Sequence, residues 1–284
     1  MTPAEEDAAY AECERLVRDQ DPDRAVSVLF APSDRRRHLL ALYAFNIETA
    51  RVREQISQPL PGEIRLQWWR DRIEAGQDGE GGGQGNPVAE ALLDTIQRFE
   101  LPKDAFERFL EARIFDLYDD AMLDRQAFEG YAGETASALI VLAAMILGGR
   151  EAAEVTDAAG HAGVAQAAVG SLRLLPIHRK RRQVFLPADL LAAAGTSGDD
   201  LLAGGAEPTQ RAVTTMLSFA KDHLDRYRAQ RTRLPKSVRA AFLPAEMTRL
   251  YLDRITAGGL AEIETPSRIG PFRRSFTYWR AMRA

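Results

Sequence analysis

Cysteine is nearly absent from this chain of 284 residues, and its absence excludes several kinds of site. Cys13 is the only cysteine, so no disulfide can form within the chain and no cysteine-based metal site is possible. A chain with a single thiol is typical of a reducing compartment. Histidine is also scarce, and His161 and His223 lack the spacing of metal ligands in the sequence.

Long hydrophobic runs are absent too. The most apolar segment, residues 136–147, has about half the ~20 residues that a membrane-spanning helix needs, and we predict a buried helix there. The segment 1–17 carries five acidic residues and no apolar stretch, which argues against a signal or transit peptide. We therefore expect either a bacterial protein of the cytoplasm or a mature matrix protein without its leader, and Met1 favours the first. In either case we expect no transmembrane helix, and at most a peripheral position at the inner face of the membrane.

A large excess of charge is also lacking. The formal net charge is −4 at pH 7, which excludes a general attraction to nucleic acid and means that any anion binding must be local. The glycine-rich segment 76–87 lacks the Gly-Lys-Ser/Thr ending of a phosphate-binding P-loop. No Ser–His–Asp or Cys–His arrangement typical of nucleophilic catalysis can be recognised in the sequence.

Helical periodicity dominates the rest of the chain. Strand-like alternation is limited to residues 183–186, and loops are predicted near 76–87 and 195–208. Without a repeat of fixed period, the pattern predicts one all-α domain over residues 1–284. The predicted helices span residues 4–18, 23–29, 35–57, 64–75, 88–98, 103–117, 125–148, 152–175, 209–231, 236–242, 246–257 and a tail from 271.

Two sets of carboxylates are candidates for a metal site. Glu48 and Glu54 are six residues apart and therefore lie on different sides of a helix, so they do not form one. Asp116, Asp119 and Asp120 are spaced to share a helical face, where oxygen ligands could hold Mg²⁺ against a diphosphate. The competing interpretation of these three aspartates is a solvated helix end.

A basic cluster follows a helix of small residues. The helix, AAGHAGVAQAAVG (158–170), would suit the wall of a cavity, and the apolar VFLP (184–187) behind the cluster should be buried. Guanidinium groups bind phosphate in a bidentate manner, so a phosphate or lipid headgroup is one interpretation and a solvated basic loop is the other. The cluster consists of Arg173, His178, Arg179, Lys180, Arg181 and Arg182.

Three segments resemble the squalene/phytoene synthase family over nearly the full chain. They are RRRHLLALYAF (35–45), FLEARIFDLYDDAMLDRQAFEGYAGETAS (109–137) and AQAAVGSLRLLPIHRKRRQVFLPADLLAAAG (165–195). The resemblance implies the all-α isoprenoid (trans-prenyl) synthase fold, with helices around a central cavity. In active synthases of the family, two aspartate-containing motifs bind Mg²⁺ and the diphosphates of two prenyl donors.

This chain departs from both motifs when aligned without gaps. The two aspartates of the first motif fall on Ala50 and Glu54, and those of the second fall on Leu174 and His178. Arg173 and the region of Tyr43 are retained, whereas a diphosphate-binding arginine of the family falls on Ile47, and a glutamine and an asparagine fall on Ala167 and Gly170. Ala and Leu cannot ligate Mg²⁺, and histidine is a poor ligand for so hard an ion. The resemblance therefore implies neither a catalytic residue nor a bound metal or other cofactor.

The segments in which this chain departs from the active synthases resemble a second branch of the family. AFN-x-E-x-A-x-V (44–52), the segment 67–69 and residues 165–187 are similar to a branch of the family that serves as an assembly factor for respiratory complex I. This similarity implies a non-catalytic protein whose partners are complex I subunits or other membrane-associated proteins, with no nucleic acid. The similarity is also compatible with an isoprenoid diphosphate or a lipid as a ligand bound in the cavity. The candidate contacts for that ligand are Tyr43, Arg173, His178, Arg179, Arg181 and Arg182.

Two other functions stay open at this point. One is an active prenyltransferase that uses a prenyl diphosphate, with Mg²⁺ held by Asp116, Asp119 and Asp120. The other is a non-catalytic carrier of an isoprenoid lipid, which predicts a lipid that co-purifies in the cavity.

Overall fold

The computed structural model of the chain describes residues 2–76 and 85–283. The described residues form helices and contain no β-strand, which confirms the all-α prediction. The α-helices are α1 (Pro3–Gln20), α2 (Pro22–Val28), α3 (Ser33–Ala50), α4 (Pro59–Ala75), α5 (Pro87–Arg98), α6 (Lys103–Ile114), α7 (Arg125–Ala132), α8 (Ala138–Gly148), α9 (Thr156–Arg173), α10 (Leu175–Lys180), α11 (Ala188–Ala193), α12 (Gly198–Ala203), α13 (Ala206–Arg231), α14 (Leu243–Glu264) and α15 (Pro271–Arg283). Short 3-10 helices lie at Val52–Gln55, Phe115–Leu117, Gly149–Val155 and Lys236–Phe242, and Gly133–Ser137 is a π-helical turn.

Local capping explains where several helices begin. The hydroxyl of Thr2 accepts a hydrogen bond from the Glu5 backbone, and the Glu5 carboxylate accepts one from the Thr2 backbone at 2.7 Å, which makes a capping box. The side chains of Asp21, Asn86 and Asp124 accept hydrogen bonds from the first turns of α2, α5 and α7. Such caps satisfy backbone N–H groups that have no partner inside the helix.

Several predicted boundaries are wrong. The helix expected over 35–57 ends at Ala50, and Pro59 begins α4 rather than only ending the previous helix, because proline is tolerated in a first helical turn. The loop expected over 195–208 contains α12, which a capping box at Ser197 begins and a left-handed Gly204 (φ 78°) ends. Most of the loop expected over 76–87 lies outside the described residues.

The core lies around α3 and α8. Phe45 of α3 is fully buried and contacts the rings of Trp69, Phe106 and Phe109 at centroid distances of 5.0, 5.6 and 5.3 Å. The helical stretch Arg125–Arg173 contains an 18-residue window with a mean hydropathy of 1.6. By length and composition alone that window is apolar enough to cross a membrane, and half of it is buried inside the protein.

The small residues of α9 allow close helix packing. A Cβ atom built on Gly163 would lie 2.6 Å from the Cα atom of Ser137, in the π-helical turn before α8. Gly160, one turn away on the same helix, has no atom of another element within 4 Å of the same position. The buried face of α9 therefore packs against neighbouring helices, while other residues of the same helix line the cavity described next.

Candidate functional site

A cavity of about 470 Å³ lies among α2, α3, α9, α10 and α14. It receives five arginines and four carboxylates as well as uncharged side chains. The charged residues are Asp21, Asp23, Arg24, Arg53, Glu54, Arg113, Asp116, Arg173 and Arg181. The cavity is therefore polar along much of its lining, and its formal charge is slightly positive.

Every one of the four cavity carboxylates lies within ion-pair distance of an arginine. The pairs are Asp21–Arg24 (2.5 Å), Asp23–Arg274 (2.6 Å), Glu54–Arg181 (3.8 Å) and Asp116–Arg113 (3.0 Å). A carboxylate that neutralises a nearby guanidinium is engaged and has less affinity left for a cation. Among residues 2–76 and 85–283, no group of three His, Cys, Asp or Glu side chains is arranged to hold a metal ion.

The positions where the resemblance places the family's aspartates all line this cavity. Ala50 and Glu54 come from the end of α3 and the following 3-10 helix, and Leu174 and His178 come from the junction of α9 and α10. The fold thus brings the four positions to one site, although more than a hundred residues of the sequence separate the first pair from the second. Of their four side chains, only that of Glu54 carries a carboxylate.

His178 lies in the cavity wall in an apolar environment. Its side chain is stacked on Phe185 at a centroid distance of 4.5 Å, and the residue is 8% exposed. Burial lowers the pKa of His178 to about 4, and the positive charge of Arg181 adds to the effect. The imidazole is therefore neutral at pH 7, and its buried Nδ1 atom has no hydrogen-bond partner in the protein.

The basic cluster predicted from the sequence is divided by the fold. Arg181 and His178 line the cavity. Arg179 is directed elsewhere, because its guanidinium donates to the Leu201 carbonyl at 3.0 Å and to Glu264 at 3.2 Å. Arg182 is exposed, adopts a positive φ of 58° and is not part of the cavity lining.

Arg173 occupies the cavity without an ion-pair partner in the part of the chain that the structure describes. Its guanidinium carbon lies 3.7 Å from the centroid of the Tyr251 ring, a cation–π contact that holds the charge at the lining. Tyr251 in turn donates a hydrogen bond from its hydroxyl to Asp23 at 2.7 Å. Burial raises the pKa of Tyr251 to about 12, with the Asp23 charge adding to it.

The three aspartates proposed as alternative metal ligands are not brought together. The expectation that they share a helical face is wrong, because α6 ends at Ile114 and the short 3-10 helix after it ends at Leu117. Asp116 lines the cavity and accepts a hydrogen bond from Tyr131 at 2.7 Å. Asp119 is exposed and lies 3.4 Å from Arg53, and Asp120 is exposed.

Tyr43 belongs to the core and not to the cavity lining. It is 2% exposed, and the guanidinium carbon of Arg24 lies 5.4 Å from its ring centroid. Arg24 itself lines the cavity, so Tyr43 contacts a lining residue from the core side through this cation–π interaction. A direct contact between Tyr43 and a ligand would require a change in the structure around it.

Sequence reasoning missed several polar groups of the cavity. Gln166 has a buried amide oxygen without a hydrogen-bond partner, and the Nε atoms of Arg53 and Arg113 are likewise buried and unpartnered. The spacing of these residues carries no signal, since each lies on a separate element and they meet only after folding. Asp23 and Tyr251, which are 228 residues apart, were missed for the same reason.

His161 and His223, which lack the spacing of metal ligands in the sequence, are in contact in the structure. The Nδ1 atoms of His161 on α9 and His223 on α13 lie 3.1 Å apart, and His223 Nε2 lies 3.3 Å from Glu129. Burial lowers the pKa of His223. Neither histidine lines the cavity described above.

Comparison with known proteins gives one matching family and two groups of relatives. The sequence profile described as squalene/phytoene synthase matches residues 17–274. A curated protein of Rattus norvegicus, named NADH dehydrogenase (ubiquinone) complex I, assembly factor 6, is 34% identical over 244 residues, which are 86% of this chain and 72% of that protein.

Solved structures of synthases share the fold. A dehydrosqualene synthase in complex with ligand aligns with a TM-score of 0.83 at 15% identity, covering 98% of this chain and 96% of that one. A squalene synthase from Alicyclobacillus acidocaldarius aligns with a TM-score of 0.77 at 21% identity, covering 91% and 97%. These similarities confirm the helical isoprenoid synthase fold that the resemblance implied.

Proposed function

This chain belongs to the squalene/phytoene synthase family, and we propose that within it the protein acts in the assembly or stability of respiratory complex I and not as a prenyl synthase. The observation that carries the proposal is the similarity to assembly factors, which extends over 86% of the chain at 34% identity. The synthases with a similar structure are 15% and 21% identical. Likeness at that level supports the fold and leaves the activity to be argued from the site.

The chemistry of the cavity supports a non-catalytic role. Ionisation of a prenyl diphosphate needs metal ions that neutralise the charge of the leaving group. The side chains of Ala50 and Leu174 have no ligating atom, and the neutral imidazole of His178 is a poor ligand for Mg²⁺. The residues at these positions therefore do not fit a magnesium cluster.

The charge balance of the cavity supports the same proposal. Its four carboxylates are engaged by arginines at 2.5 to 3.8 Å, so a metal ion would have to displace at least one guanidinium. Such displacement leaves a partly buried cation without its partner, which is strongly unfavourable. A ligand with its own negative charge would instead meet Arg173 directly.

The partners and the location belong to the same proposal. We expect contacts with complex I subunits or with other membrane-associated proteins, and a cytoplasmic protein that reaches the inner face of the membrane peripherally. The similarity to proteins named as complex I assembly factors supports the partner, and a half-buried apolar helix is compatible with a soluble or peripheral protein.

Deletion of the gene tests the proposal. We expect the deletion strain to lose most of its assembled complex I on blue native gels, together with NADH:quinone activity in membranes, and to regain both with the wild-type gene. The Asp116→Asn variant should restore them as well, because the proposed role uses no carboxylate chemistry in the cavity. Asp222→Asn, on an exposed part of α13, is the matched control, and immunoblots report the level of each variant.

Two outcomes would contradict the proposal. The first is a normal level of complex I in the deletion strain. The second is pyrophosphate release from farnesyl or geranylgeranyl diphosphate with Mg²⁺ that Asp116→Asn abolishes and Asp222→Asn retains, which would establish the prenyltransferase. A lipid that co-purifies with the protein in native mass spectra, with complex I unaffected by the deletion, would point to the carrier instead.

A further inference from the structure

The last helix, α15, carries a row of exposed aromatic rings. Phe272, Phe276 and Trp279 are 83%, 51% and 44% exposed. The rings of Phe272 and Phe276 are stacked at a centroid distance of 6.5 Å, those of Phe276 and Trp279 at 5.8 Å, and the guanidinium of Arg283 lies 4.2 Å from the Trp279 ring. At 3.6 residues per turn these four residues form one stripe along the helix.

The charge of α15 is of one sign. Residues 271–283 contain four arginines and no carboxylate, in a chain whose net charge is −4. Arg273, Arg280 and Arg283 are exposed and have no ion pair in the part of the chain that the structure describes. Arg273 and Arg280 lie along one flank of the aromatic stripe, about a quarter of a turn from it.

The opposite face of α15 attaches the helix to the rest of the protein. Arg274 is buried and donates to Asp23 at 2.6 Å, and the hydroxyl of the fully buried Tyr278 donates to the Asp23 carbonyl at 3.1 Å. The Tyr278 ring also packs edge-on against Phe30. Since these contacts hold the helix in place, the aromatic stripe on the other face makes no contribution to the core.

We propose that α15 docks along the surface of a bilayer that contains anionic lipids, with its aromatic stripe at the boundary between headgroups and acyl chains. Tryptophan favours this boundary, and phenylalanine is typical of the buried face of helices that lie in it. Flanking arginines gain energy from anionic headgroups. A helix of 13 residues is about 20 Å long, too short to span a membrane. The proposal rests on the peripheral location proposed above and names the surface that produces it.

The charge of α15 favours a lipid surface over a protein groove as the binding partner of its exposed face. The exposed side chains of α15 offer cations along one flank and no carboxylate to guide a specific partner. The three rings lie in a single row along the helix, with neighbouring rings stacked. A flat surface with a high density of negative charge complements this arrangement. Docking also sets the orientation of the protein, because Asp23 lines the cavity and holds the inner face of the same helix.

Vesicle binding by the full chain tests the proposal. We expect the protein to sediment with vesicles of phosphatidylcholine and phosphatidylglycerol and much less with phosphatidylcholine alone, and added salt should weaken the binding. Brominated lipids should quench the fluorescence of Trp279. In Trp279→Phe, binding should persist while the quenching disappears, because the other tryptophans, Trp68 and Trp69, lie on α4.

Surface variants make the test specific to α15. Arg273→Gln/Arg280→Gln should weaken partitioning about thirtyfold, and Phe272→Ser/Phe276→Ser should weaken it at least about tenfold. The matched control is Leu60→Ser/Ile64→Ser, which replaces exposed apolar residues on α4 and should leave partitioning unchanged. Thermal melts of all variants should agree within a few degrees, since the changed side chains are exposed.

Absence of binding to the anionic vesicles would overturn the proposal, as would equal binding by the α15 variants and the α4 control. Capture of a protein through α15 without any vesicle binding would also overturn it. The experiment needs no complex I, so a negative result leaves the assembly role to be judged by the deletion strain. A positive result likewise stands if the deletion strain has normal complex I.

Discussion

The imidazole of His178 lies between Phe185 and the cavity, and Arg181 is the charged group that acts on it most strongly. A buried neutral histidine can donate one hydrogen bond and accept another. Its unpartnered Nδ1 atom is therefore a polar group available in the cavity wall, as is the unpartnered amide oxygen of Gln166. At the scale of single residues, the cavity offers neutral hydrogen-bonding groups beside one free guanidinium, that of Arg173, among the residues that the structure describes.

The depressed pKa of His178 predicts a pH dependence of stability. The folded state binds the proton with a pKa of about 4 and the unfolded state near 6.5, so the unfolded state gains protons first as the pH falls. Stability should decrease between pH 6.5 and 4 by up to about 1.4 kcal/mol per pH unit more than in His178→Gln. Urea unfolding across this window measures the difference in slope.

The region above pH 7 provides the control for this prediction. There both states carry a neutral His178, so the two stability curves should run parallel. His38, whose pKa burial also lowers to about 4, is present in both proteins and cancels in the comparison. Parallel curves throughout the acid range would show that His178 is not buried as described.

At the scale of elements, α9 combines two roles. Its small residues let it approach the π-helical turn Gly133–Ser137 closely, and its Arg173 end reaches the cavity. The local sequence predicted this helix and its likely use as a wall, because runs of Ala and Gly leave room for a close neighbour. It did not identify which glycine makes the contact, since Gly160 and Gly163 look alike until the neighbouring helix is in place.

Alanine substitutions at the two glycines should have opposite effects. Gly163→Ala forces a Cβ atom to within 2.6 Å of the Ser137 Cα atom, and we expect a loss of about 2–3 kcal/mol in the free energy of unfolding. Gly160→Ala meets nothing within 4 Å and should gain about 0.5–1 kcal/mol through higher helix propensity. Chemical denaturation of both variants gives the comparison, and similar losses at the two sites would contradict the packing of α9.

Helix boundaries show which parts of an element the sequence encodes. Asp21 and Asn86 act through side chains that bond to the adjacent turn, and such local signals are present in the sequence. The division of the basic cluster is different, because Arg179 leaves the cavity to meet Leu201 and Glu264. Those partners lie on other helices, so no spacing within residues 171–187 indicates the direction of Arg179.

At the scale of the whole molecule, contacts between distant parts of the chain build the cavity lining. Asp23 near the N-terminus joins Tyr251 of α14 and Arg274 of α15, which are 228 and 251 residues away. The same carboxylate therefore connects the cavity lining with the proposed membrane-docking helix. Loss of this connection would affect both surfaces together.

The single thiol reports on the integrity of the whole fold. Cys13 is 0% exposed, and burial raises its pKa to about 12, with the charges of Glu48 and Glu12 adding to the effect. Labelling by a disulfide reagent in native buffer should be at least about a thousandfold slower than labelling of free cysteine at the same pH. In denaturant, the labelling rate should rise together with the loss of helical circular dichroism, since unfolding exposes the thiol.

A relocated thiol is the control for the labelling experiment. Cys13→Ala/Ser218→Cys places the only cysteine on an exposed position of α13, where native labelling should be fast. Rapid native labelling of the wild-type protein would mean that the region around Cys13 opens without global unfolding.

The sequence by itself determined the helical class, the family and the residues that stand where the family's aspartates would be. These features depend on periodicity, on capping within one turn and on the identity of single residues. Only the tertiary structure decided that Ala50, Glu54, Leu174 and His178 line one cavity, that its carboxylates are engaged by arginines, and that the aromatic stripe of α15 is left outside the core. The reason is physical: burial, charge pairing and exposure arise from the packing of distant helices, which local spacing does not record.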